Sequence, residues 1–189
     1  MHTLEPFYHW LHLYKSEDDS RSPFFRKNYS ELYYSNTIYG HYIHPQWDEF
    51  GTDTLYIKVL FADYDRAYII LELLGEWNDC INNDIMFLKR DVIDVFAHEG
   101  ISKFIVIGEN VLNYHASGDE YYEEWFQDVE TGWIAFVNFR EHVLAEFSKF
   151  KIDYFVNYGG ELDVLDWRKG TPISVYQKVL DILNHRLNL

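Results

Sequence analysis

The strongest constraint in this sequence is a pair of apolar runs that are separated by a very short connection. Leu55–Phe61 and Ala67–Leu74 each have the length of a strand, and only residues 62–66 lie between them. A connection this short cannot contain a crossover helix, so the two strands must run antiparallel. The sequence therefore predicts a β-hairpin.

A helical repeat follows the hairpin and ends before Gly100. Its apolar residues recur at spacings of three and four, which places them on one face of a helix. Asn82 or Asn83 is suited to cap its first turn, because a short polar side chain can accept hydrogen bonds from the free N–H groups there. The apolar stripe consists of Ile85, Leu88, Val92 and Phe96.

Strands and helices alternate through the rest of the chain. The patterns predict strands at 103–107, 133–137 and 153–156, helices at 119–129 and 140–150, and a last helix that opens at Thr171-Pro172. Apolar strands separated by helices indicate a parallel sheet with right-handed crossovers. The predicted fold class is α/β, with a mainly parallel sheet, an antiparallel hairpin at its start and covering helices. A flavodoxin-like three-layer sandwich is the alternative, and the initial hairpin argues against it.

The first fifty residues differ from the rest, because aromatic residues and histidines are dense and no helical period persists. We expect residues 51–189 to form the α/β domain and residues 1–50 to be an extension packed on it. Aromatic and β-branched residues predict strands at 31–34 and 37–43.

Composition excludes several classes of protein. The formal charge of −15 opposes binding to nucleic acid or to anionic membrane surfaces. No signal peptide or membrane span is recognisable, and Cys80 is the only cysteine, so we expect a cytoplasmic protein without disulfides. No cofactor is predicted, because neither a G-x-G-x-x-G motif nor a P-loop occurs. No metal is predicted either, since the pairs His9/His12 and His41/His44 supply only half of a ligand set each.

The order of elements from residue 54 onward resembles the STAS domain, the fold of bacterial anti-sigma-factor antagonists. In that family a loop of the form Asp-Ser-Ser-Gly follows the third strand, and a serine that opens the next helix is phosphorylated. Here the matching stretch ends in His115-Ala116-Ser117-Gly118, so the resemblance implies that Ser117 is the phosphorylation candidate. His115 and Ala116 depart from the family pattern. A plain turn before a helix also explains the Ser-Gly pair.

Ligands of open α/β sheets bind beyond the carboxyl ends of the strands, so the residues at those ends are candidates. Two carboxylates held close together in a partly apolar pocket would differ in proton affinity and serve as acid and base. Solvated loop residues and helix caps are the alternative interpretation of these positions. The candidates are Glu76, Trp77 and Asn78 after the second strand, Glu109 and Asn110 after the third, and Asn138 after the fourth.

Two functions remain open from the sequence alone. The first is a non-enzymatic regulatory domain with a protein partner, which the STAS resemblance and the exposed-looking aromatic residues of the N-terminal extension favour. The alternative for those aromatic residues is that they pack over the edge of the sheet as part of the core. The second is a small-molecule-binding protein or hydrolase that uses the carboxylates at the strand ends. Oligomeric state has no signature in the sequence.

Overall fold

The N-terminal extension contributes a small three-stranded sheet to the structure, a computed structural model that describes residues 3–30, 32 and 36–187. Its strands are β1 (Thr3–Leu4), β2 (Thr37–Ile38) and β3 (His41–Ile43), with β3 in the middle. The strand predicted at 37–43 is split by a turn at Tyr39 and Gly40, both of which have positive φ. Of the strand predicted at 31–34, only Leu32 lies within the described residues.

A mixed sheet of four strands forms the centre of the fold and confirms the predicted class. It consists of β4 (Leu55–Asp63), β5 (Tyr68–Asn78), β6 (Lys103–His115) and β7 (Trp133–Val137), arranged in that order. β4 pairs with β5 antiparallel, which confirms the hairpin, while β5, β6 and β7 are parallel. The antiparallel strand therefore occupies one edge.

The predicted helices are present. The first is a continuous helical stretch in which α1 (Asp84–Phe87), a π-helical segment (Leu88–Ile93) and α2 (Asp94–His98) follow one another, and its predicted apolar stripe is buried. The later helices are α3 (Glu120–Asp128), α4 (Glu141–Lys149) and α5 (Pro172–Leu187). Asn83 stands at the start of α1, but its side chain makes no capping hydrogen bond. No helix among the described residues is long and apolar enough to cross a membrane.

Both faces of the sheet are covered by other parts of the chain. Alternate residues of a strand point to opposite faces, so each strand contributes side chains to both. Ile69 and Leu71 of β5 belong to the core cluster that contains the side chains of α1 to α4. Tyr68 and Ile70 belong to a second cluster, formed with α5 and with Phe7 and Trp10 of the N-terminal extension. The extension thus shares the second face of the sheet with α5.

The prediction of a strand at 153–156 is wrong. Ile152–Tyr154 form a 3₁₀ turn, and only Asn157 bridges to β7, opposite Ala135. Lys151 enters this turn with a left-handed backbone, which breaks an extended run before it can start. The edge of β7 consequently lacks a complete partner strand.

Two strand ends also differ from the prediction. β5 continues to Asn78 and β6 to His115, well past the apolar runs from which they were predicted. The extra residues are held by parallel pairing with each other, as in the register of Gly75 with Val111 and of Asn78 with His115. Pairing between strands, which hydropathy does not report, sets these ends.

Gly75 provides a test of the strand packing. Its φ is +124°, and an added Cβ would lie 2.0 Å from the carbonyl oxygen of Thr54. We expect Gly75→Ala to lower the free energy of unfolding by about 3 kcal/mol or more, because steric overlap adds to backbone strain. Gly100→Ala is the matched control, since Gly100 has φ +93° but no atom within 4 Å of its added Cβ. Equal losses in the two variants, measured by urea unfolding, would contradict the proposed contact.

Candidate functional site

Two charged side chains lie on the face of the sheet that the N-terminal extension covers. Lys58 of β4 and Glu72 of β5 are direct cross-strand partners, and they are only 2% and 0% exposed. Directly paired residues of antiparallel strands point to the same face. The surrounding positions of this face are apolar, as at Ile70 and Ile107. Burying two charges where aliphatic residues would pack is costly, so these positions are the first candidates for a functional role.

Glu72 is held by groups from three parts of the chain. The backbone N–H of Phe7 donates a hydrogen bond of 2.9 Å to Oε2, and the side-chain amide of Asn110 donates one of 3.4 Å to Oε1. Arg168 Nη2 lies 3.5 Å from Oε1. Burial nevertheless raises the pKa of Glu72 to about 7, against the lowering effect of Phe7 and Arg168. This carboxyl therefore exchanges its proton near neutral pH.

Arg168 joins Glu72 to a second carboxylate. Its Nη2 also donates to Glu109 Oε1, and Trp167 Nε1 donates to Glu109 Oε2 over 3.4 Å. The guanidinium lies 4.6 Å from the ring centre of Trp167 and 5.5 Å from that of Phe7. Two carboxylates thus share one arginine beside two aromatic rings.

This cluster contains two of the predicted site residues and two that the sequence did not reveal. Glu109 and Asn110 were predicted, although they lie within β6 and not in a loop after it. Glu72 had a signal that was not used, since an acidic residue in the middle of an apolar strand is unusual. Arg168 had none, because it comes from a loop that is distant in sequence.

The other predicted site residues lie elsewhere. Glu76 Oε1 accepts a hydrogen bond of 3.1 Å from Asn113. Trp77 is buried in the core on the face of the sheet that α1 to α4 cover. Asn78 Oδ1 accepts from the backbone N–H of Ile81. These three residues therefore make separate contacts and do not meet Glu109.

Asn138 and Ser117 also lie outside the cluster. The side chain of Asn138 both donates to and accepts from the backbone of Leu165, at 2.9 and 2.8 Å. This amide therefore fixes the chain that leads to Arg168. Ser117 is exposed and precedes Asp119, which stands at the N-cap position of α3 without a side-chain capping hydrogen bond.

Asp79 and Asp84 form a second buried acidic pair, at the start of the first helix. Asp79 Oδ1 accepts from Trp77 Nε1 and from the N–H of Ile85, both at 2.9 Å, and Oδ2 accepts from the hydroxyl of Tyr122 at 3.0 Å. Burial still raises the pKa of Asp79 to about 6 and that of Asp84 to about 7. The hydrogen bonds of Asp79 join β5 to α1 and α3, so the burial of this carboxylate has a structural explanation.

A cavity of about 320 Å³ is lined by Phe7, whose N–H binds Glu72, but Glu72 and Glu109 themselves do not line it. Pro6, Phe7, Tyr8 and Leu11 form its apolar part, and Glu5, His44, Gln46 and Lys58 form its polar part. Phe7 links the two features, since this residue lines the cavity while its N–H binds Glu72. The cavity and the carboxylate cluster together form the candidate site.

Lys58 is the most unusual lining residue. Its Nζ lies 3.7 Å from Asp48 Oδ2 and 4.1 Å from the ring centre of Tyr29, and it makes no hydrogen bond to the described residues. Burial lowers the pKa of this amine, against the opposing effect of Asp48.

No group of three or more His, Cys, Asp or Glu side chains in the described chain is arranged to hold a metal ion.

The buried carboxyls predict an unusual dependence of stability on pH. Glu72, Asp79 and Asp84 have raised pKa values of about 7, 6 and 7, so they keep their protons to higher pH in the folded than in the unfolded chain. The folded state then binds more protons between about pH 4 and 7, and stability falls as pH rises through that window. We expect urea unfolding to give a lower free energy at pH 7.5 than at pH 4.5.

Glu72→Gln tests the part of this effect that belongs to the site. Gln resembles the protonated carboxyl, so the variant loses the Glu72 contribution, which is at most about 3 kcal/mol across the window. Glu141→Gln, at an exposed position of α4, is the matched control for the loss of one charge. A pH profile that is identical in Glu72→Gln and in the unmodified protein would show that Glu72 titrates normally.

Neither the protein-family models nor the curated proteins with which the chain was compared match it.

Proposed function

We propose that this protein binds a small organic molecule in the cavity between its N-terminal extension and β4. The observation that carries the proposal is the burial of Lys58 and Glu72 under residues 5–11, on a sheet face that is otherwise apolar. Replacing buried charges by well-packed aliphatic residues is often neutral or stabilising, so stability alone does not require charges at both positions. Charges retained in such a place are typical of binding sites.

The lining indicates the kind of ligand. A volume of about 320 Å³ is near the lower end of the roughly 300–1,000 Å³ that is usual for ligand cavities. Phe7 and Tyr8 offer aromatic surfaces, and His44 and Gln46 carry polar side chains for orientation. A small aromatic molecule with one or two hydrogen-bonding groups fits this combination.

The adjacent carboxylates extend the proposal to the hydrolase alternative. A general acid or base works best when its pKa is close to the working pH, and Glu72 has a pKa of about 7. Arg168 holds Glu109 next to it. Proton transfer at this site would therefore use Glu72, with Glu109 as the second carboxylate.

Regulation through a protein partner is the second candidate function. Its support is the STAS-like order of elements from β4 to α4, together with the position of Ser117, which is exposed shortly before α3. Mass spectrometry of the protein from its own cells, under several growth conditions, tests this candidate. A phosphate on Ser117 would favour it, and an unmodified serine under all conditions would count against it.

A cavity-filling substitution tests the binding proposal. We expect ligand-observed NMR with a set of small aromatic amides and aromatic carboxylates to find binders whose affinity falls at least tenfold in Gln46→Trp, because the indole occupies the cavity. Gln177→Trp adds the same side chain at an exposed position of α5 and should leave binding unchanged. Binders that tolerate Gln46→Trp, or a set without any binder, would contradict the proposal.

A further inference from the structure

A second cavity, of about 520 Å³, lies at the open edge of β7. It occupies the region beside Trp133 and Ile134 where the predicted fifth strand is replaced by the 3₁₀ turn at 152–154. Asn157 makes the only bridge along this edge among the described residues. The missing strand thus leaves a space between the two helical layers of the fold.

The walls of this cavity are mainly apolar. They come from α3, β7, the turn region and α5, so the cavity is formed by elements far apart in sequence. The rings of Phe126 and Phe155 are 6.1 Å apart and form one side. The apolar lining residues are Phe126, Trp133, Ile134, Phe155, Leu180 and Leu183.

The charge of the lining is opposite to that of the protein. The chain has 31 acidic and 16 basic residues, yet the lining contains Lys103 and Arg186 and no acidic residue. Neither cation lies within salt-bridge distance of a carboxylate of the described residues, although Arg186 is near enough to Asp163 to oppose the rise in the pKa of that carboxyl that burial causes. Acidic residues outnumber basic residues in the chain as a whole, whereas the charged residues of this lining are both basic.

Backbone carbonyl groups hold both cations in place. Arg186 Nη1 donates to the carbonyl of Tyr158 over 3.0 Å, and Nη2 donates to the carbonyl of Gly159. Lys103 Nζ donates to the carbonyl of Arg66 over 2.8 Å. A carbonyl orients a cation without cancelling its charge, and both side chains retain further N–H donors. The cations are therefore positioned in advance for an anion.

The position of Arg186 in the last turn of α5 has a simpler partial explanation. Basic side chains are favoured there, because the carboxyl end of a helix carries a partial negative charge. That effect does not account for the link from Arg186 to residues 158 and 159, for Lys103, or for the absence of acids from the lining. An anionic ligand accounts for Lys103 and for the absence of acids from the lining, while the bonds to residues 158 and 159 fix the position of the Arg186 guanidinium.

We propose that this second cavity binds an amphipathic organic anion, a carboxylate whose apolar body packs between Phe126, Phe155 and Leu180 and whose head group meets Arg186. The site shares no lining residue with the cavity at β4. Ligand binding at this second cavity is therefore independent of ligand binding at the cavity beside β4.

Isothermal titration calorimetry with ligands of one chain length separates the contributions of head group and body. We expect decanoate to bind at least tenfold more tightly than decanol and decyltrimethylammonium, because hydrogen bonds to a charged head group are strong. The two ions are used below their micellar concentrations and decanol below its solubility limit. Arg186→Gln should weaken decanoate by about tenfold and leave decanol unchanged. Equal binding of decanoate and decanol, or no binding of decanoate, would overturn the proposal.

A second pair of variants covers the case in which Arg186→Gln disturbs the loop that it holds. Leu180→Glu places a negative charge in the wall of the cavity, while Leu180→Gln makes nearly the same change in shape without the charge. We expect Leu180→Glu to bind decanoate at least tenfold more weakly than Leu180→Gln, with unchanged circular dichroism. Equal affinities in these two folded variants would show that decanoate binds elsewhere.

Discussion

The parallel pairing of β5 with β6 is the constraint on which the rest of this structure depends. It runs from Tyr68 opposite Lys103 to Asn78 opposite His115, and it buries the middle of both strands on both faces. Because the two strands are aligned, Glu72 comes within reach of Asn110. The crossover between the strands places the first helix on the face of the sheet that α1 to α4 cover. The carboxylate cluster is a consequence of this register.

Much of the fold was predictable from local patterns. The hairpin followed from two apolar runs and a short connection, and the first helix followed from the spacing of Ile85, Leu88, Val92 and Phe96. The failures have two causes, long-range pairing and local backbone conformation. β6 continues through polar residues because β5 pairs with it there. The strand expected at 153–156 does not form because Lys151 enters a 3₁₀ turn with a left-handed backbone.

The candidate site was predictable only in part, for a related reason. The rule for strand ends selected Glu109 and Asn110, which do lie in the carboxylate cluster. It paired Glu109 with Glu76, whereas the register aligns Glu76 with Asn113 and brings Glu72 into the cluster instead. Arg168 arrives from a distant loop that Asn138 fixes through the backbone of Leu165, and no pattern in one sequence reports such a contact.

The two proposed sites lie at opposite edges of the sheet and place opposite demands on a chain of charge −15. At β4 the buried charges have both signs, so the overall charge of the protein matters little. At β7 the excess acidity opposes an anionic ligand, but charges beyond roughly 8 Å are screened at physiological ionic strength. Only the nearest charges then decide the affinity. An acidic protein can therefore bind an anion if acids are kept out of the lining, and this is the arrangement around Lys103 and Arg186.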